Sequence, residues 1–204
     1  MPVPVPVPAQ VPTPSHTPTL TVSALMPVQV PPGCYPIELV QFWRNEYKRG
    51  QPIPLHWALF VRTAPPAPQR ASTSSVHGPA RGRSNCQTTT QTPRGNFYEL
   101  VGSPDTYTAQ FLSSIHFEPE ALPDWRGTHV IGWVHPTQLG VFERVVKQVQ
   151  VWRHRPDWRC QHWVYEVVSA IGASHPGVFA DGVTFVGLQR QMGRLLDAWE
   201  NGDI

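Results

Sequence analysis

The chain has 204 residues, of which 40% are hydrophobic and only 15% charged, and eight are tryptophan, which suffices for one domain with a sizeable core. Its formal net charge of +2 comes without a basic cluster, which argues against a nucleic-acid partner. Three cysteines, Cys34, Cys86 and Cys160, show no paired spacing, so neither a disulfide framework nor a zinc ribbon is expected, and a reducing, cytoplasmic setting is the simpler expectation.

Residues 1–36 open with MPVPVPVPAQVPTPSHTP. Proline at alternate positions withholds backbone donors from helix and sheet alike and favours extended polyproline II, so a disordered or semi-rigid tail is expected. Such a tail can serve as ligand for a proline-binding domain or as a plain spacer. It lacks the basic start and continuous apolar run of a secretory signal, and TLTVSALMPVQV is too short to cross a bilayer, so no transmembrane segment is expected.

Folded composition begins near Ile37, and one domain is expected over 37–204. Residues 37–44 have strand content, 45–54 form a polar Gly/Pro connection, and 55–62 (LHWALFVR) alternate as a second strand that begins with His56, so the two should form a hairpin. Trp43 and Trp57 are expected in the core. Residues 63–94 are rich in Pro, Ser, Thr and Arg without apolar periodicity and predict a long insertion, so His77 and Cys86 within it are not counted as a site.

Further strands are expected over 96–101, 106–112 and 128–134, with a turn-rich segment holding Pro119, Pro123 and Gly127 between the last two. His116, His129 and His135 have no partners at metal-ligand spacing, so no metal or other cofactor is expected. Pro136 opens an amphipathic helix to about Gln148, with Leu139, Phe142, Val145, Val146 and Val149 near one face. A terminal helix within 181–200 follows from the spacing of Leu188, Met192, Leu195 and Leu196.

The stretch WRCQHWVYEVV, 158–168, is the expected working centre. Pro156 and Asp157 punctuate the chain, and Trp163, Val164, Val167, Val168 and Ile171 recur at helical spacing, which puts Cys160 in the first turn of a partly buried helix. Unpaired backbone N–H groups and the positive end of the helix dipole favour a thiolate there. A small buried core cysteine is the alternative. His56 supplies an imidazole able to take the thiol proton, whereas His162 lies about 200° around the helix from Cys160 and points elsewhere. Arg153, His154, Arg155 and Arg159 either bring positive charge to the nucleophile or form a solvated basic turn.

LVQFWR at 39–44, HWALFV at 56–61, GNFYELV at 95–101 and CQHWV at 160–164 together resemble the permuted NlpC/P60 group of papain-like thiol enzymes. Within that group the likeness is to the lecithin:retinol acyltransferase and H-rev107 type, and uncharacterised fungal proteins with an HWAL strand and a CxxWV helix are more similar still. The resemblance spans roughly 37–172. It implies Cys160 as nucleophile, His56 as base and Glu99 as the group that orients the imidazole. The acyltransferase branch typically carries a second histidine where this chain has Glu99, which leaves the substrate class open. Glu99 is otherwise an outward strand residue facing water. The terminal helix is unlike the apolar anchor of many H-rev107-like proteins, which weighs against a phospholipid substrate.

The expected architecture is α+β, an antiparallel sheet packed against the Cys160 helix with two flanking helices. The expected function is a thiol hydrolase or acyltransferase acting on an acyl, amide or peptide substrate. A non-catalytic binding or scaffold module on the same fold is the competing reading.

Overall fold

Period-two alternation in the first half of the chain gives way to helical periodicity after Pro136, and the computed structural model follows that division. The structure describes residues 29–44, 47–48, 51–52, 55–63, 94–180 and 183–204. The readings of the tail before residue 29 and of 64–93 lie outside the described residues.

Five strands form one antiparallel sheet in the order β6-β5-β4-β1-β7. They are β1 (Tyr35–Phe42), β4 (His56–Arg62), β5 (Arg94–Val101), β6 (Thr108–His116) and β7 (Trp125–Val134). Two short strands, β2 (Tyr47–Lys48) and β3 (Gln51–Pro52), pair with each other in the connection from β1 to β4. The expected pairing of the first and the histidine strand is present, with Phe42 opposite His56 and Ile37 opposite Val61.

Alternation sorts the side chains onto two faces. Ile37, Leu39, Trp57, Leu59, Val61, Tyr98 and Leu100 point to the main core, where they meet Phe142 and Val146 of α1 (Leu139–Gln148). Trp163, Val164, Val167, Val168 and Ile171 of α2 (Cys160–Ser174) complete that core. Burying each of the larger of these side chains stabilises the fold by ~2 kcal/mol. Val40, Phe42, Ala58, Phe60 and Phe97 form a smaller cluster on the other face, roofed in part by Phe117. On that face Arg62 donates twice to Glu38, at 2.8 and 2.9 Å. Burial, opposed by Arg62, raises the Glu38 pKa above the usual carboxylate value.

The last helix, α3 (Phe185–Asn201), begins where the Thr184 hydroxyl accepts the Gly187 N–H and ends at Gly202 in the left-handed conformation. It lies against β7, tied there by Gln41, a buried amide that donates to the carbonyls of both Arg126 and Met192. A single face-on contact of Arg126 with the Trp199 ring, 3.6 Å to the centroid, holds its far end.

Four strands extend beyond their expected limits, the first of them β1, which begins at Tyr35 within the span expected as tail. β7 starts at Trp125, because that residue pairs with Phe42 and the strand continues through Gly127 across a register shift opposite Val40 and Phe42. Gly127 has φ 131 and its absent side chain leaves room for Leu195. β6 continues to His116 across an irregularity opposite Gly95 and Phe97, where Ser114 has φ 54 and its N–H is taken by the Asn96 side chain at 2.8 Å. β5 begins at Arg94. Helix α2 runs through Gly172 and stops in the SHPG turn. No described helix is long and apolar enough to cross a membrane.

Candidate active site

Cys160 is the first residue of α2, preceded by Arg159 in an extended conformation that has no side-chain cap. The first-turn N–H groups therefore lack intrahelical acceptors close to the sulfur, and the dipole's positive end favours an anion there. Gln161, the next residue, donates from Nε2 to the carbonyl of Leu55 at 3.2 Å. This bond joins the start of the helix to the residue before His56 and sets nucleophile and imidazole at the same end of the sheet.

His56 is the first residue of β4, opposite Phe42, whose ring lies 6.3 Å from the imidazole. Its Nε2 is 2.9 Å from Oε2 of Glu99, and the two side chains are 12% and 19% exposed. Glu99 thus faces His56 and not bulk water. The opposite nitrogen, Nδ1, is 2.8 Å from a terminal nitrogen of Arg44, and that same nitrogen is 3.5 Å from Sγ of Cys160.

These contacts fix the tautomer. A guanidinium can only donate, so Nδ1 accepts from Arg44 and Nε2 carries the proton that it donates to Glu99. This arrangement is that of a neutral imidazole. Burial disfavours its protonation, but hydrogen bonding with Cys160 and Glu99 and the thiolate charge outweigh both burial and the opposing charge of Arg44, and the His56 pKa is pushed up to about 9. Protonation turns Nδ1 from an acceptor into a donor. Arg44 must then release it.

Cys160 is buried, 2% exposed. Burial pushes the Cys160 pKa up, but the His56 hydrogen bond and charge, the Arg44 charge and the Trp57 backbone N–H together hold it below the ordinary thiol value. Tyr107 closes another side of the site, its ring 5.7 Å from that of Trp158. Tyr107 is 3% exposed, and burial first, then the nearby thiolate charge, raise its pKa against the charge of Arg44.

Cys160, His56 and Glu99 are therefore brought together. His162 turns away, its ring 5.0 Å from that of Phe185. The basic turn before the helix is engaged elsewhere: Arg153 donates to the Tyr107 carbonyl, His154 meets Asp105, and Arg155 lies over the Trp152 ring. The cation on the sulfur is Arg44, which sequence reasoning assigned only to the end of a strand. Its signal was the pairing of Phe42 with His56, which carries the chain past the imidazole two residues later. Among the described residues no group of three or more His, Cys, Asp and Glu side chains could hold a metal.

No curated protein and no solved structure matches the chain. A family model does match residues 42–175, a span that includes Arg44, His56, Glu99 and Cys160. By that match the chain belongs to a family of unknown function (DUF6540).

Proposed function

We propose that this protein is a cysteine-dependent hydrolase or acyltransferase, built on a permuted papain-like, NlpC/P60-type plan, with Cys160 as nucleophile, His56 as base and Glu99 as the residue that orients the imidazole. The observation that carries this reading is the His56 ring, bound through Nε2 to a carboxylate while its Nδ1 and the sulfur of the helix-first cysteine contact one and the same Arg44 nitrogen. An acid–base–nucleophile relay needs that polarity.

His56 takes the Cys160 proton on Nδ1, and the thiolate adds to the carbonyl carbon of an amide or ester. First-turn backbone N–H groups hold the oxyanion, a donor of this kind lowering the barrier by ~3 kcal/mol. Collapse of the tetrahedral intermediate expels the amine or alcohol, which leaves with the proton from Nδ1. Water or another acceptor, deprotonated by His56, attacks the thioester and restores the thiol. Glu99 keeps the proton on Nε2 throughout and stabilises the imidazolium.

Cys160 packs in the main core and is 2% exposed, which favours a second reading, a non-catalytic module in which the cysteine is structural. The pH dependence of iodoacetamide alkylation at Cys160, read by mass spectrometry in the parent and in His56→Ala, separates the two. A thiolate well below the free-cysteine value of about 8.5 that moves upward on His56→Ala supports the enzyme. Slow labelling indifferent to the substitution rejects it.

A further inference from the structure

Arg44 stands where a substrate must go. One of its nitrogens touches both the acceptor nitrogen of His56 and the sulfur of Cys160, so the guanidinium fills the space between base and nucleophile in which a leaving group would collect its proton. It is half-buried, and among the described residues no carboxylate pairs with it. A cation withdrawn from water without a carboxylate partner carries a desolvation cost that an incoming anion would relieve.

We propose that Arg44 is the anion receptor of this site: it binds a carboxylate that the substrate carries beside the scissile acyl carbon. The inference rests on the reading of Cys160 and His56 as nucleophile and base, and it assigns the substrate to acyl compounds bearing a neighbouring carboxylate.

Three features support it. The planar guanidinium fork matches a carboxylate with two parallel hydrogen bonds, a better bond than the single one to a neutral imidazole. The ligand consequently interacts differently with the two positions of Arg44, which a substrate needs in order to shift one to the other. The backbone also permits the movement. β1 ends at Phe42 and the Trp43 N–H is taken by the Asp124 carbonyl, so Arg44 lies beyond the ladder and can change rotamer without breaking sheet pairing. The charge of Arg44 opposes protonation of His56, and pairing it with a carboxylate would lift that opposition while loosening its hold on the thiolate.

Iodoacetate and iodoacetamide deliver the same alkyl chemistry and differ in a carboxylate beside the reacting carbon. Second-order rate constants for both reagents at Cys160 of the full chain, at one pH and ionic strength, would be compared for the parent, Arg44→Lys, Arg44→Gln and a free thiol. The expected iodoacetate-to-iodoacetamide ratio in the parent exceeds that of the free thiol by about tenfold, is kept in part by Arg44→Lys, and collapses to the free-thiol ratio in Arg44→Gln. An unchanged ratio in Arg44→Gln, or an equal fall with both reagents, overturns the proposal, the latter because Arg44 would then only stabilise the thiolate. Failure of the underlying reading shows separately: if His56→Ala changes neither rate, the Cys–His relay falls, and this proposal with it.

Discussion

Glu99 stands directly opposite Ala58 in the β4–β5 ladder, and its carboxylate reaches diagonally along that face to the Nε2 proton of His56. Diagonal neighbours on one sheet face lie within reach of long side chains, so the orientation of the imidazole is set by strand register and not by a loop. Glu99 should consequently act through the tautomer of His56.

Glu99→Gln tests that role. Its amide can turn its NH2 toward Nε2 and force the proton onto Nδ1, where it blocks proton uptake from Cys160. We expect kcat to fall by about ten-thousandfold with little change in folding stability, since the corresponding neutral replacement in a serine triad has an effect of this order. Kinetics with an acyl substrate, together with urea denaturation, check it. An activity within threefold of the parent would leave Glu99 without this function.

Turnover should follow a bell in pH. The acid limb reports formation of the Cys160 thiolate and lies below the ordinary thiol value, because the His56 and Arg44 charges and the Trp57 N–H outweigh burial. The alkaline limb reports loss of the imidazolium that protonates the leaving group and lies near pH 9. In His56→Ala burial of the sulfur, the largest single influence on it, keeps raising its pKa while the main opposing one is gone. Alkylation of Cys160 should then shift to higher pH, as site-resolved labelling would show.

On the smaller face of the sheet, Arg62→Ala leaves the Glu38 carboxylate buried without its cation, at an expected cost of ~3 kcal/mol at neutral pH. The pH dependence has a definite sign. The folded-state pKa of Glu38 is raised, so its contribution to stability is fully present below the unfolded carboxylate value and is lost as pH rises through the raised one. Removing Arg62 raises it further. Urea titrations of parent and variant should therefore differ less at acid pH than at pH 7.5, and a pH-independent difference would contradict the assignment.

Gly95 leaves no room for a side chain, because an added Cβ would fall on the Phe60 ring and the Val61 carbonyl. Gly95→Ala should cost ~2 kcal/mol by overpacking, read as a lower urea midpoint with an unchanged slope.

The strands and helices were legible because alternation and helical spacing are strong over these segments, and Cys160 was placed at a helix start by its neighbours Pro156 and Asp157. The partnership of Glu99 with His56 was not decidable in advance. It depends on register between β4 and β5, and the long span between them carries no short-turn chemistry that would fix it. Arg44 was missed because its strand and that of His56 are joined by a connection of unspecified geometry. The charges at 153–155 left two readings open, charge at the nucleophile or a solvated turn: they are near Cys160 in sequence, yet each has a partner that turns it elsewhere. Gly127 was expected in a turn-rich segment with Pro119 and Pro123, whereas β7 runs through it.

The Thr63 N–H closes on the Arg94 carbonyl at 2.8 Å, sealing β4 to β5 at the end of the pair remote from His56. Thr63 and Arg94 thus lie at the end of the β4–β5 pair opposite the one that carries His56. Length there is thermodynamically cheap: against a four-residue turn, a connection of about thirty residues costs only ~2 kcal/mol in closure entropy. A connection closed at this seam can vary in length while the end of the sheet that carries Cys160, His56 and Glu99 keeps its register.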